Sequence, residues 1–133
     1  MNQENLFAAL RAAFPDDLDT TAIETDQGLN YSWRDLDRAT AMMANLLGSM
    51  HLPEGARIAV QVEKSVEALM LYLATLRSGL VFLPLNTAYL SAEIEYFIGN
   101  AEPAVVVCSG KNFGWVSKIA FNAGTAHVFT LNE

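Results

Sequence analysis

RIAVQVEKSVEALMLYLATLRSGLVFLPLNTAYLSAEIEYFIGNAEPAVVVCSG, residues 57–110, repeats a short apolar run followed by an amphipathic stretch twice and then delivers a third apolar run. IAVQV at 58–62 is short, β-branched and bounded by Gly55 and by charged residues, which marks a buried strand. Ser65 then suits an N-cap, and Glu67 suits the positive end of a helix dipole. Val66, Leu69, Met70, Leu73 and Leu76 recur at helical spacing, so a helix is expected up to Gly79. LVFLPL at 80–85 reads as the next strand, with Pro84 near its end because proline has no N–H for the ladder. Ser91 is expected to cap a second helix carrying Ile94, Phe97 and Ile98 on one face, with Gly99 and Asn100 as its stop. Pro103 precedes AVVVC at 104–108, the third strand.

Strands joined through intervening helices run parallel, by right-handed crossovers, and continuously apolar strands call for cover on both faces. The expected fold class is therefore α/β: an open, mostly parallel sheet with helices on both faces, half of a doubly wound arrangement.

Outward from this core, ENLFAALRAAF at 4–14 reads as an amphipathic helix with Leu6, Leu10 and Phe14 on one stripe, ended by Pro15, Asp16 and Asp17. TAIETDQGLNYSW at 21–33 reads as two short strands around a turn at Asp26, Gln27 and Gly28, where glycine supplies the positive φ. Ser32 with Asp35 then caps a helix whose Leu36, Ala39, Met43, Leu46 and Met50 form one face. Beyond the core, a helix is expected near 112–122, a turn at Ala123 and Gly124, and a last strand, AHVFTL, at 126–131. No internal repeat, low-complexity tract or interdomain linker interrupts the chain.

The 133 residues are 52% apolar, enough for a sizeable core and the size of one domain or part of a larger one. A net charge of −7 with eight scattered basic residues excludes the clustered Lys and Arg of a nucleic-acid surface. No run reaches the roughly 20 apolar residues of a membrane span, and no basic segment followed by an apolar stretch opens the chain. The single cysteine, Cys108, has no internal disulfide partner, so a cytoplasmic chain is expected.

Lys64, between Glu63 and Glu67 at a strand–helix turn, could touch a phosphate, but the turn lacks the glycines of a nucleotide loop and a solvated helix start is the expected role. Cys108 reads as a small buried hydrophobe, because no histidine or helix start is arranged to lower its pKa. His51 and His127 lack metal-ligand spacing with any Cys or acid. Asp16, Asp17 and Asp19 read as a solvated loop, and Met42, Met43 and Met50 as core filling. GKNFG at 110–114 has a superficial phosphate-loop look without the G-K-[ST] ending. The segment at 86–90 leaves the carboxyl end of a parallel strand, the edge where open α/β sheets bind ligands, and Asn86, Thr87 and Tyr89 are candidate lining residues or strand-exit packing.

LNYSWRDL at 29–36 is similar to an L-[TS]-Y-x-E-L type motif, and LRSGLVFLPL at 76–85 to an L-K-A-G-x-x-x-[LV]-P-[LI] type. With AEPAVVVC after them, these segments resemble the N-terminal part of the adenylate-forming (AMP-forming) acyl-CoA synthetases, the superfamily that includes luciferases and peptide-synthetase adenylation domains. EKSVEALMLYLATLRSG and PLNTAYLSAEIEYFI look most like bacterial malonyl-CoA synthetases. The resemblance implies that residues 1–133 are a partial N-terminal domain, with a helix, hairpin and helix lead-in at 1–56 and strand–helix repeats at 57–133. It further implies a ligase reaction: a carboxylate, with malonate favoured, attacks ATP to give an acyl-adenylate and pyrophosphate, and the thiol of CoA then displaces AMP. ATP, Mg²⁺ and CoA belong to a full-length family member, whose phosphate loop, later nucleotide motifs and lysine have no counterpart in this sequence. No residue here is therefore assigned a catalytic, cofactor-binding or metal role, and the chain alone is expected to be inactive. In some CoA ligases of the superfamily the loop at 86–90 lies near the CoA nucleotide and carries a basic residue; Ala88 stands there in this chain, so that contact does not carry over. The rival readings are a stand-alone small α/β ligand-binding module and an interaction subunit for a separately encoded remainder. A sheet lacking its later strands is expected to self-associate through its exposed edge.

Overall fold

The structure, a computed structural model, describes residues 5–131. Strands β1 (Thr21–Glu24) and β2 (Asn30–Ser32) form an antiparallel hairpin whose turn places Gly28 at φ 87°. Strands β3 (Arg57–Gln61), β4 (Val81–Pro84), β5 (Val105–Cys108) and β6 (His127–Thr130) form a separate four-stranded parallel sheet in the order β4-β3-β5-β6. Helices α3 (Val66–Arg77), α4 (Ser91–Ala101) and α5 (Phe113–Asn122) are the crossovers, and α1 (Leu6–Ala12) and α2 (Trp33–Gly48) come from the lead-in. The α/β class, the parallel sheet and the helices on both faces stand as the sequence predicts.

Alternation along the strands divides the core. Ala59, Val106 and Cys108 face α4 and α5 and pack with Ile94, Ile98, Val116 and Ala120. Ile58, Val60, Val105 and Val107 face the other way and pack with Leu47 of α2 and Leu71 of α3. Helix starts follow local chemistry. Ser65 Oγ accepts from the Ala68 amide at 3.0 Å, and Ser32 and Asp35 form a reciprocal capping box, each accepting the other's backbone N–H at 3.0 and 2.9 Å.

The structure corrects several boundaries and faces. The helix expected over 4–14 runs Leu6–Ala12 with Asn5 as its cap; Glu4 lies outside the described residues, as do Asn132 and Glu133. Its buried residue is Phe7, not the stripe of Leu6 and Leu10, which are 51% and 39% exposed. The Arg77 guanidinium lies 4.8 Å from the Phe7 ring centre, so α1 is seated by an aromatic–cation contact that spacing alone does not reveal. On α2 the inward face is Leu36, Thr40, Met43 and Leu47, with Leu46 turned outward at 53% exposure and Met50 packing on the core just past the helix end. On α3 it is Met70, Leu71, Ala74 and Thr75, with Leu69 outward. Thr40 and Thr75 occupy buried positions because each hydroxyl donates at 2.7 Å to the carbonyl one turn back, to Leu36 and Leu71, leaving a methyl for the core. Leu90, not Ser91, caps α4, its amide donating to Glu93 Oε1 at 2.7 Å. Gly99 and Asn100 stay helical; α4 stops at Glu102, left-handed at φ 48°, just before Pro103.

Candidate functional site

The strand order reverses direction between β3 and β5, because α3 leads from β3 to one neighbour and α4 returns across β3 to the other side. Open α/β sheets bind ligands at such a switch point, beyond the carboxyl ends of the strands. Here the strands end in Gln61, Pro84 and Cys108. The segment at 86–90 passes over the end of β3, held by the Leu85 amide donating to the Val60 carbonyl at 2.8 Å. Asn86 folds it into a turn, its side-chain oxygen accepting from the Ala88 amide at 2.8 Å and its carbonyl from the Tyr89 amide at 3.0 Å. The Tyr89 ring stacks on Phe97 at 5.1 Å.

Between this turn and the start of α5 lies an open groove of about 540 Å³ lined by Thr87, Tyr89, Ser91, Lys111, Asn112 and Trp115, among others. Asn112 and Trp115 are tied to each other, the indole Nε1–H donating to Asn112 Oδ1 at 3.3 Å. Thr87 and Tyr89, two of the three lining candidates, thus do face a groove, while Asn86 spends its polar groups on the turn. Beneath the turn, Gln61 is 2% exposed and donates from Nε2 to the carbonyls of Asn86 at 3.0 Å and Tyr89 at 3.2 Å. In the sequence Gln61 reads as one more strand residue. A glutamine inside an otherwise apolar run, IAVQV, is the available signal, since a buried carboxamide must find partners.

Among the other candidates, Lys64 and Ser65 border a second groove, of about 360 Å³, on the opposite side of β3, with Tyr72, Phe82 and Pro84. Cys108 is buried, and burial pushes its thiol from 9.0 up to about 11, so it stays protonated at neutral pH and is no nucleophile. Residues 110–112 form a short 3₁₀ turn that runs into α5, rather than a phosphate loop. Asp19 pairs with Arg34 at 2.8 Å on the surface, which holds its carboxyl below the usual range. Met43 and Met50 pack against the core, whereas Met42 is 71% exposed and fills none of it. His51 takes up a left-handed turn at φ 53° after α2, and His127 stacks on Phe129. Among the described residues no three His, Cys, Asp or Glu side chains gather as metal ligands. Nor, among the described residues, is any helix long and apolar enough to cross a membrane. The groove therefore offers hydroxyls, an aromatic wall and one ammonium: the means to bind, with no acid–base pair to react.

The sequence pattern of the AMP-binding enzyme family matches residues 10–129. MatB from Rhodopseudomonas palustris is 47% identical, with a TM-score of 0.89 over 96% of this chain and 25% of its own. A benzoate CoA ligase from Burkholderia xenovorans LB400 shares the fold at 21% identity and a TM-score of 0.84, across 96% of this chain and 26% of that one. The medium-chain fatty-acid–CoA ligase of Escherichia coli is 30% identical over 84 residues, 63% of this chain and 15% of that enzyme. The chain thus spans about a quarter of the solved relatives and less of the curated ones. It belongs to the AMP-binding enzyme family, the adenylate-forming enzymes that include acid–CoA ligases, and matches their N-terminal part.

Proposed function

We propose that the chain is the N-terminal portion of an ATP-dependent acid–CoA ligase with malonate as the favoured acid. The observation that carries this reading is the 47% identity to MatB, a malonyl-CoA synthetase, sustained over 96% of the chain. The complete enzyme would join a carboxylate to ATP, release pyrophosphate, and transfer the acyl group from AMP to the thiol of CoA. Such a reaction needs charge neutralisation on the transferring phosphate and on the reacting carboxylate. The described residues do not fit a Mg²⁺ site, having no cluster of three carboxylate, histidine or cysteine side chains, and the turn from Gln61 to Ser65 has no glycine to cradle a phosphate. No chemical step is assigned to this chain, and the chain alone is inactive in this reading. Its contribution is a rigid parallel sheet and the rim of the strand-exit groove. We place it in the cytoplasm, on its single buried cysteine.

The test is to capture the native polypeptide carrying this segment, weigh it intact, and assay it with ATP, CoA and a panel of short carboxylic acids. A mass several times 14.5 kDa with malonate-dependent release of AMP and formation of malonyl-CoA is expected. Preference for another acid overturns the malonate assignment, and a native mass of 14.5 kDa without ligase activity overturns the whole reading.

A further inference from the structure

The Gln61 carboxamide is a buried polar group that ties distant segments together. It sits at the last position of β3, paired across the sheet with Cys108, at the switch point where strand order reverses. At 2% exposure it has lost its water, and it spends both donors of one nitrogen on a single turn, on the carbonyls of Asn86 at 3.0 Å and Tyr89 at 3.2 Å. Those two acceptors settle the orientation of the amide, since the reverse placement would aim a carbonyl oxygen at two others. Gln61 Oε1 has no hydrogen-bond partner among the described protein groups. A buried carboxamide is expensive to keep half-satisfied, and a hydrophobe of the same length would fill the space. What only the carboxamide supplies is a fixed distance between the end of β3 and both ends of the turn.

That turn carries Thr87 and Tyr89, which line one wall of the 540 Å³ groove, and it leads into Leu90 and Ser91, which line more of it. Thr87 and Ala88 are themselves exposed. Local bonds at Leu85 and Asn86 shape the turn, and two longer-range contacts tie it to the body of the fold, the Tyr89 ring on Phe97 and the Gln61 amide below.

We propose that Gln61 is a positioning residue of the strand-exit groove, holding residues 86–90 so that Thr87 and Tyr89 meet a substrate of the ligase without Gln61 touching it. The kinetic half of this inference rests on the ligase reading; the structural half does not. In the isolated chain, Gln61→Met should speed hydrogen exchange of the Ala88 and Tyr89 amides about tenfold while β5 and β6 amides, corrected for global stability, keep their rates. Thr125→Val is the control. It removes another buried hydrogen bond, from Thr125 to the Pro103 carbonyl at 3.0 Å near the opposite end of the strands, and should leave the 86–90 amides unchanged. Should the methionine variant fail to fold, Gln61→Asn, which keeps the amide but withdraws it by one methylene, takes its place.

In the complete ligase, the Gln61 variant should raise KM for one of the three substrates about tenfold with kcat within about twofold, and Thr125→Val should change neither. Unchanged exchange at residues 86–90, or variant and control that alter KM and kcat alike, overturns the proposal. An inactive wild-type polypeptide overturns the ligase reading instead and leaves the exchange result to stand or fall by itself.

Discussion

The two faces of the parallel sheet are closed in different ways. The face toward α4 and α5 is covered by crossover helices, and Ile94, Ile98 and Ala120 are completely buried there. The opposite face has a single crossover helix, α3, and it borrows α2 from the lead-in to extend the cover. That cover is incomplete: a cleft of about 140 Å³ remains between α2 and β6, bordered by Leu46 and Phe129, which are 53% and 36% exposed. The lead-in is moored by charge as well as by apolar contact. Asp37 of α2 accepts from Arg77 of α3 at 3.0 Å and pairs with Arg11 of α1 at 3.3 Å. Connectivity guarantees a crossover helix its place on the sheet, whereas a helix from outside the repeat needs a specific mooring and leaves a margin uncovered.

The largest effect that could break this comparison is in the cores. Ile98→Ala on the closed face should cost about 3–4 kcal/mol and Leu47→Ala on the open face about 2–3, because a site beside a cleft can collapse. Equilibrium urea denaturation measures both, and an equal or reversed ranking removes the distinction between the faces.

Next comes the mooring. Asp37→Ala should cost about 1–2 kcal/mol by leaving Arg77 and Arg11 without their shared carboxylate. A double-mutant cycle with Arg77→Ala should show coupling of about 1 kcal/mol; no coupling would mean that the carboxylate adds nothing to the bonds Arg77 makes to the Asp37 carbonyl and the Thr40 hydroxyl.

The closed face also carries a pH signature. The Cys108 thiol is raised in the folded state from 9.0 to about 11, so the folded protein holds this proton more tightly. The stability it contributes is fully present below pH 9 and is lost as pH rises through 11. Urea midpoints across that window should fall for the natural chain more than for Cys108→Ala, and parallel slopes would contradict the burial of this thiol.

The smallest effect on the folded monomer, about 0.5 kcal/mol or less, is expected for Phe129→Lys at the open margin. Its consequence lies in association. The isolated chain should form dimers or larger species that grow with concentration, and the lysine should shift it toward monomer in sedimentation velocity. A natural chain that is monomeric at high concentration would show that the cleft and the β6 edge are harmless as they stand.

Much of this architecture is legible in local chemistry. LVFLPL, AVVVC and AHVFTL each contain the strand the structure forms, IAVQV matches β3 to within one residue, and Ser32 and Ser65 begin the helices they were expected to cap. The faces of α2 and α3 were less legible. Apolar periodicity placed Leu46 and Leu69 inward, yet Thr40 and Thr75 took buried places, since a helical threonine can return its hydroxyl to the backbone. The end of α4 was misplaced because glycine and asparagine permit a stop without compelling one, while Pro103 ended the helix.

By itself, the sequence determined the class of the fold, its strands and crossovers, its likeness to the adenylate-forming enzymes, and the lack of a phosphate loop, because these depend on residues close together in the chain. Only the tertiary structure decided the strand order, the mooring of α1 and α2 through Arg77, and the grip of Gln61 on the turn 25 and 28 residues away. Each of these depends on which polar groups lose their water together, and that is settled when distant segments pack rather than along the chain.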